Sequence, residues 1–177
     1  PDVVATSDGV LVLRHENEIS GTTNIADHPE FADRHGSKTI DGTTMTGWFT
    51  EDFTWAELST LRARERLPEV RPANVAFNDT EPILRLSDLL ELVDQHPEAQ
   101  RRPLRVVAEI KHASYFESIG LPLDKFFARD VRSWATADNL IIESFEQSIL
   151  HRIRDRGTLG QLVFLLEANG APSDLVS

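Results

Sequence analysis

Two apolar runs lead the chain. Asp2-Val-Val-Ala-Thr6 and Val10-Leu-Val-Leu-Arg-His15 are rich in Val and Leu, and the Asp8-Gly9 pair between them is a turn signal. Their nearly continuous apolar character predicts strands buried on both faces, as in parallel sheets. From about Glu16 to Asp52 no hydrophobic period is visible. Thr, Gly, Asp and His predominate there, and the stretch reads as a long excursion, a kind of segment that is often functional or disordered in a compact domain. Thr54-Trp-Ala-Glu57 has the form of a capping box and predicts a short helix through Arg64. Ser87 is expected to cap a second helix that carries Leu89, Leu90, Leu92 and Val93.

Beyond Pro103 the pattern becomes regular. Leu104 to Lys111 reads as a strand and Leu123 to Trp134 as an amphipathic helix with Phe126, Phe127, Val131 and Trp134 on its apolar side. Asn139 to Ser144 is an Ile-rich strand, Glu146 to Arg156 a helix ended by Gly157, and Gln161 to Leu166 another strand. This β-α-β-α-β alternation predicts parallel strands joined by right-handed crossovers, an α/β fold. No internal repeat or low-complexity tract interrupts it.

Composition narrows the partners. With 177 residues the chain suffices for one domain with a sizeable core. Its net charge of −11 makes nucleic acid an unfavourable partner, so an anionic substrate needs locally placed cations or a metal. Cysteine is absent, which excludes disulfides and thiolate metal sites. No apolar run reaches the roughly 18 residues of a membrane span. The first residue is Pro1 rather than Met, which predicts a start inside a longer chain or after processing. Basic residues are mostly Arg; the lysines are Lys38, Lys111 and Lys125.

That scarcity draws attention to Lys111. Strand alternation puts Val107, Glu109 and Lys111 on one face, at the C-terminal end where parallel α/β proteins build their sites. A carboxylate beside an ammonium can be a plain structural ion pair. It can also be a ligand for a hard cation next to a lysine that faces phosphate. Alternation likewise groups Leu11, Leu13 and His15, and an imidazole at a strand end can move a proton near neutral pH. Asp2 heads the first strand. His112 either lines the mouth of the site or sits in a loop, while His28, His35, His96 and His151 read as solvated. At the end of the next strand, either Glu143 with Phe145 or Ser144 faces inward. Glu167 ends the last strand, where it serves a site or a loop. Trp48, Phe49 and Phe53 either cover a pocket or staple the excursion down. No G-x-S-x-G elbow supports a serine nucleophile.

The ordered set Asp2, Asp8-Gly9, His15-Glu16, Thr22-Thr23, Thr54-x-x-Glu57-Leu58, Ile83-x-x-Leu86-x-x-Leu89-Leu90, Glu109-Ile-Lys111 and Glu143-Ser-Phe145 resembles the glycerophosphodiester phosphodiesterases. The resemblance is in particular to the bacterial, periplasmic or secreted type with a long insertion. The resemblance implies a (β/α)₈ TIM barrel of which this chain holds about strands two to six. It implies a single partial domain over 1–177 with an insertion over roughly 16–103. It further implies one divalent cation, Ca²⁺ or Mg²⁺, held by Asp2 and Glu109. His15 and Lys111 then take catalytic roles, with Lys111 and Phe145 on the substrate.

The reaction so implied is metal-dependent hydrolysis of glycerophosphodiesters to glycerol 3-phosphate and an alcohol. The family's His-Arg-Gly and Glu-Asn-Thr motifs are not in this sequence, and the first acid of its acid-x-acid pair would precede Pro1. The rival readings are a lysophospholipase D-like enzyme on the same barrel, a non-catalytic glycerophosphodiester-binding barrel and an inactive fragment. The expected partner is a small molecule, without nucleic acid or a transmembrane segment. A homo-oligomer is left open. The expected location is extracellular, periplasmic or at the cell envelope.

Overall fold

A computed structural model of the chain describes residues 1–168 and 174–175. The leading runs form β1 (Asp2–Ala5) and β2 (Leu11–Leu13). They pair antiparallel through a turn in which Gly9 holds φ +74°, a backbone conformation natural to glycine. The apolar runs therefore do not make two parallel strands. The short Asp8-Gly9 connection folds the chain straight back, whereas a parallel partner needs a crossover of a dozen or more residues. The parallel strands are β1, β5 (Val106–Ile110), β6 (Leu140–Ser144) and β7 (Gln161–Phe164), and the mixed sheet runs β2-β1-β5-β6-β7. Of the five strands expected from the sequence, β2 is thus an antiparallel edge strand and not a member of the parallel series.

The excursion holds structure of its own. β3 (Gly36–Ile40) and β4 (Thr43–Gly47) form a hairpin with Asp41 and Gly42 at its tip. Both tip residues hold positive φ, 48° and 79°, as a two-residue hairpin turn of the I′ type requires. Cross-strand hydroxyl pairs, Ser37–Thr46 at 2.6 Å and Thr39–Thr44 at 2.9 Å, line one side of the hairpin. Phe49 and Phe53 are wholly buried, so these aromatics staple the excursion to the body of the protein.

The helix expected through Arg64 is only α1 (Trp55–Leu58), although its capping box is present. Thr54 N–H donates to Glu57 Oε2 at 2.8 Å, and Glu57 N–H approaches Thr54 Oγ1 at 3.4 Å. Thr54→Ala is expected to cost about 1 kcal/mol of stability, the usual value for losing such a cap, and chemical denaturation would measure it. In α2 (Leu86–Gln95) the cap is Arg85 with Asp88 rather than Ser87, which lies inside the helix.

Further on, α3 (Ala113–Ser118) follows β5 directly, and α4 (Leu123–Val131) and α5 (Gln147–Asp155) are the crossovers. Phe116, Phe127, Ile149 and Ile153 from these helices are wholly buried, in one core with Ala108 and Ile142 of the sheet. Val106, Ala108 and Ile110 face that core, while Val107, Glu109 and Lys111 occupy the opposite face. Among the described residues no helix is long and apolar enough to cross a membrane.

Candidate active site

The register of the sheet explains how an acid at the head of one strand meets charges at the end of another. β1 is staggered along β5, so that Asp2 pairs with Glu109 and Val3 with Ile110. On the other side Glu109 pairs with Glu143 of β6. Partners directly across a parallel ladder point to the same face. Asp2, Glu109 and Glu143 therefore form a row of carboxylates across three adjacent strands. Glu143 and Phe145 share this face. Ser144 points the other way, is buried, and donates its hydroxyl to the Ile110 carbonyl at 2.9 Å.

Lys111 closes the row from above. Its Nζ lies 2.7 Å from Glu109 Oε1, 3.7 Å from Asp2 Oδ1 and 5.8 Å from the centre of the Phe145 ring. The Lys111–Glu109 pair is a close ion contact rather than a well-directed hydrogen bond, for the buried Glu109 Oε1 is left without a hydrogen-bond donor. Burial raises the proton affinity of Glu109, and the facing Asp2 carboxylate raises it further, against the pull of Lys111. Asp2, Glu109, Lys111 and Phe145 thus lie together at this end of the sheet.

His15 stands differently. It lies beyond the end of β2, its side chain is 55% exposed, and its Nδ1 meets Glu16 Oε1 at 2.8 Å. The other oxygen of Glu16 lies 3.0 Å from His112 Nε2, and His112 Nδ1 lies 2.6 Å from Asp41 Oδ2. A chain of alternating carboxylate and imidazole groups, Asp41–His112–Glu16–His15, thus runs from the hairpin tip to the candidate histidine. His112 itself holds left-handed backbone, φ 53°, at the start of α3. The sequence left His112 as a residue lining the mouth of the site or a loop histidine; its imidazole is clamped between two carboxylates. The hairpin that supplies Asp41 lies 71 positions away in sequence and carried one signal, its Asp-Gly pair.

Burial alone would lower the His112 pKa, but its hydrogen bonds to the Asp41 and Glu16 carboxylates outweigh it and raise the value to about 9. The same contact with His112 holds Glu16 below the ordinary carboxylate range. Because the folded value for His112 lies above the unfolded one, its contribution to stability is complete below the unfolded pKa of about 6.5 and is lost as pH rises through about 9. The thermal midpoint is therefore expected to decline across that window, and Asp41→Asn to flatten the decline. Equal slopes in the two proteins would show that the clamp carries no such linkage.

The remaining candidates fall outside this cluster. His28 pairs with Glu30 and stacks on Phe31, and His35 packs edge-on against Trp48, so neither is merely solvated. His96 and His151 are exposed, and Glu167 is exposed beyond the end of β7. Among the described residues no three acidic or imidazole groups converge into a ready-made metal cage.

The profile of the glycerophosphoryl diester phosphodiesterase family matches residues 1–175. Glycerophosphodiester phosphodiesterase GDPD6 of Arabidopsis thaliana is 36% identical over 111 residues, which is 63% of this chain and 28% of that protein. A structure from Silicibacter pomeroyi DSS-3, provisionally designated a glycerophosphoryl diester phosphodiesterase, superimposes with a TM-score of 0.65 at 20% identity, over 99% of this chain and 57% of that one. The glycerophosphoryl diester phosphodiesterase domain of Rv2277c from Mycobacterium tuberculosis gives a TM-score of 0.53 at 15% identity, over 92% of this chain and 46% of that one. These two likenesses show a shared α/β fold. The chain spans between about a quarter and three fifths of the length of these relatives. With the family's profile matched from Pro1 to Leu175, the chain belongs to the glycerophosphoryl diester phosphodiesterase family.

Proposed function

We propose that the protein hydrolyses glycerophosphodiesters to glycerol 3-phosphate and an alcohol with the help of one divalent cation, on a (β/α)₈ barrel to which this chain contributes. The observation that carries the reading is the registered pair Asp2–Glu109 with Lys111 and Phe145 beside it.

The donor set fits a hard cation. Two carboxylates lie side by side, and the buried oxygen of one has the Lys111 ammonium at 2.7 Å as its charged neighbour. Mg²⁺ in particular is usually held by one or two carboxylates, with waters and substrate phosphate oxygens completing its shell. Asp2 and Glu109 would hold the ion, and once bound it would supply charge neutralisation at the phosphoryl oxygens.

The chain's own residues supply the rest. Lys111, 14% exposed and poised between the carboxylates, offers an ammonium to a phosphate oxygen. Phe145 presents an apolar face beside it for the carbon skeleton of the substrate. His15 is open to solvent on one side and oriented through Nδ1 by Glu16, which leaves Nε2 to give or take the proton of the attacking or leaving oxygen. Asp41 and His112 hold Glu16 in place from behind.

The test is release of glycerol 3-phosphate from glycerophosphocholine with Ca²⁺, with Mg²⁺ and with a chelator, with a lysolipid run in parallel. Cation-dependent release from glycerophosphocholine is the expected result. Release only from the lysolipid would reassign the substrate, and no release from the folded full-length protein would overturn the reading.

A further inference from the structure

His15 and Glu16 also border a cavity of about 310 Å³ whose chemistry the reaction above does not use. Arg14 is at its wall. The Arg14 backbone N–H donates to the Asp2 carbonyl at 3.0 Å, so this residue is fixed relative to the carboxylate row. Its side chain is half-buried, and burial without a compensating acid pulls its pKa down to about 10. The guanidinium makes one long contact, Nη1 to the Thr22 carbonyl at 3.4 Å, while Nε has no partner. The Thr22 hydroxyl lines the same cavity and is likewise buried without a partner.

The other charges around the cavity are already paired, apart from Arg66 and from Glu18, which has no cationic partner among the described residues. Arg64 is bound by Asp27 and Asp79, and Arg71 by Glu65. Glu16 is shared by His15 and His112, and Glu18 accepts the Ser20 N–H at 2.8 Å. Among the described residues, Arg14 and the exposed Arg66 are left without an acidic partner. An unpaired guanidinium is costly to bury, and its planar fork matches phosphate oxygens in bidentate fashion. A hydroxyl that lacks a partner is a further donor for the same oxygens.

We infer that the cavity walled by Arg14, Thr22 and Arg66 is an anion subsite that takes a phosphate group, distinct from the position served by Lys111. The site stands on this cavity alone. Only the idea that its phosphate is a second group on the substrate's alcohol arm rests on the phosphodiesterase reading. A phosphate there could equally arrive free in solution, and the two sources are separable by experiment.

Inorganic phosphate is titrated into the full-length protein by calorimetry, without turnover. The expected result is a binding event that Lys111→Ala retains and that Arg14→Gln weakens by about ten- to hundredfold, the scale of losing a charged hydrogen-bond partner. Arg66→Gln, at an exposed position that tolerates substitution, is expected to weaken it too and guards against misfolding of the Arg14 variant. Binding that depends on Lys111 alone, or that both arginine variants leave unchanged, overturns the inference.

The source is then read from kinetics on two glycerophosphodiesters, one with an arm ending in phosphate and one with an arm ending in choline. A rise in KM confined to the phosphate-ended arm in Arg14→Gln assigns the site to the substrate. An unchanged ratio beside lost phosphate binding assigns it to free phosphate. Phosphate binding intact in an enzyme that cleaves neither diester would sink the phosphodiesterase reading and leave the subsite standing.

Discussion

Turnover of glycerophosphocholine by the His15→Ala variant is expected to fall by about 10²–10⁴, the usual cost of removing a general acid–base. Stability is expected to stay within about 0.5 kcal/mol of the parent, because substitutions on open surface seldom cost more. The separation of the two effects follows from the surroundings of His15. Its side chain is more than half exposed and its polar contact is to Glu16. Nothing in the core leans on it, and a large loss of rate cannot then be blamed on unfolding. Near-normal turnover would remove His15 from the mechanism. Glu16→Gln offers a graded companion: it keeps the shape of the His15 partner but removes its charge, and is expected to lower turnover by less than His15→Ala does.

The second large effect is expected at Glu109. Its replacement by alanine should raise the cation concentration needed for activity by at least about tenfold, the scale associated with losing even an outer-shell partner of a metal ligand. An unchanged cation titration would refute the ligand role. Stability is expected to move the opposite way. In the absence of a cation, Glu109 is a half-buried carboxylate facing another carboxylate, and the Lys111 ammonium at 2.7 Å offsets only part of that cost. A carboxyl whose folded pKa is raised destabilises the folded state as pH climbs through that value, so at neutral pH removing its charge relieves the fold. Glu109→Gln, which also preserves the side-chain volume, should therefore melt at or above the temperature of the parent when cation is withheld. A site that costs stability when empty and gains function when loaded is a common compromise.

The strands of the sheet and the crossover helices α4 and α5 were legible because their apolar residues recur at the right period and Gly157 marks an end. The direction of β2 departs from the parallel expectation because apolar content reports burial and not polarity of the ladder. The Asp8-Gly9 turn was the better witness. The hairpin β3–β4 was missed because most of its side chains are exposed, so that no alternation of apolar and polar residues survives. α3, six residues long, is too short for a helical period to emerge. In the site, Asp2, Glu109, Lys111 and Phe145 could be picked out by strand ends and family likeness together. What no local pattern encodes is the stagger that sets Asp2 level with Glu109, or the reach of Asp41 across to His112. Both are products of tertiary register.

The same composition that made Lys111 conspicuous also turns it into a reporter. Lys125 is exposed, Lys38 is bonded to Glu51 and Asp52, and Lys111 is lodged between Asp2 and Glu109. With so few amines in the sequence, an acylating reagent distinguishes them readily by mass spectrometry: Lys125 labels first and serves as an internal clock, while the rate at Lys111 tracks whether its carboxylate neighbours are engaged elsewhere. Occupancy of the site can thus be followed peptide by peptide, without a substrate and without altering a single residue.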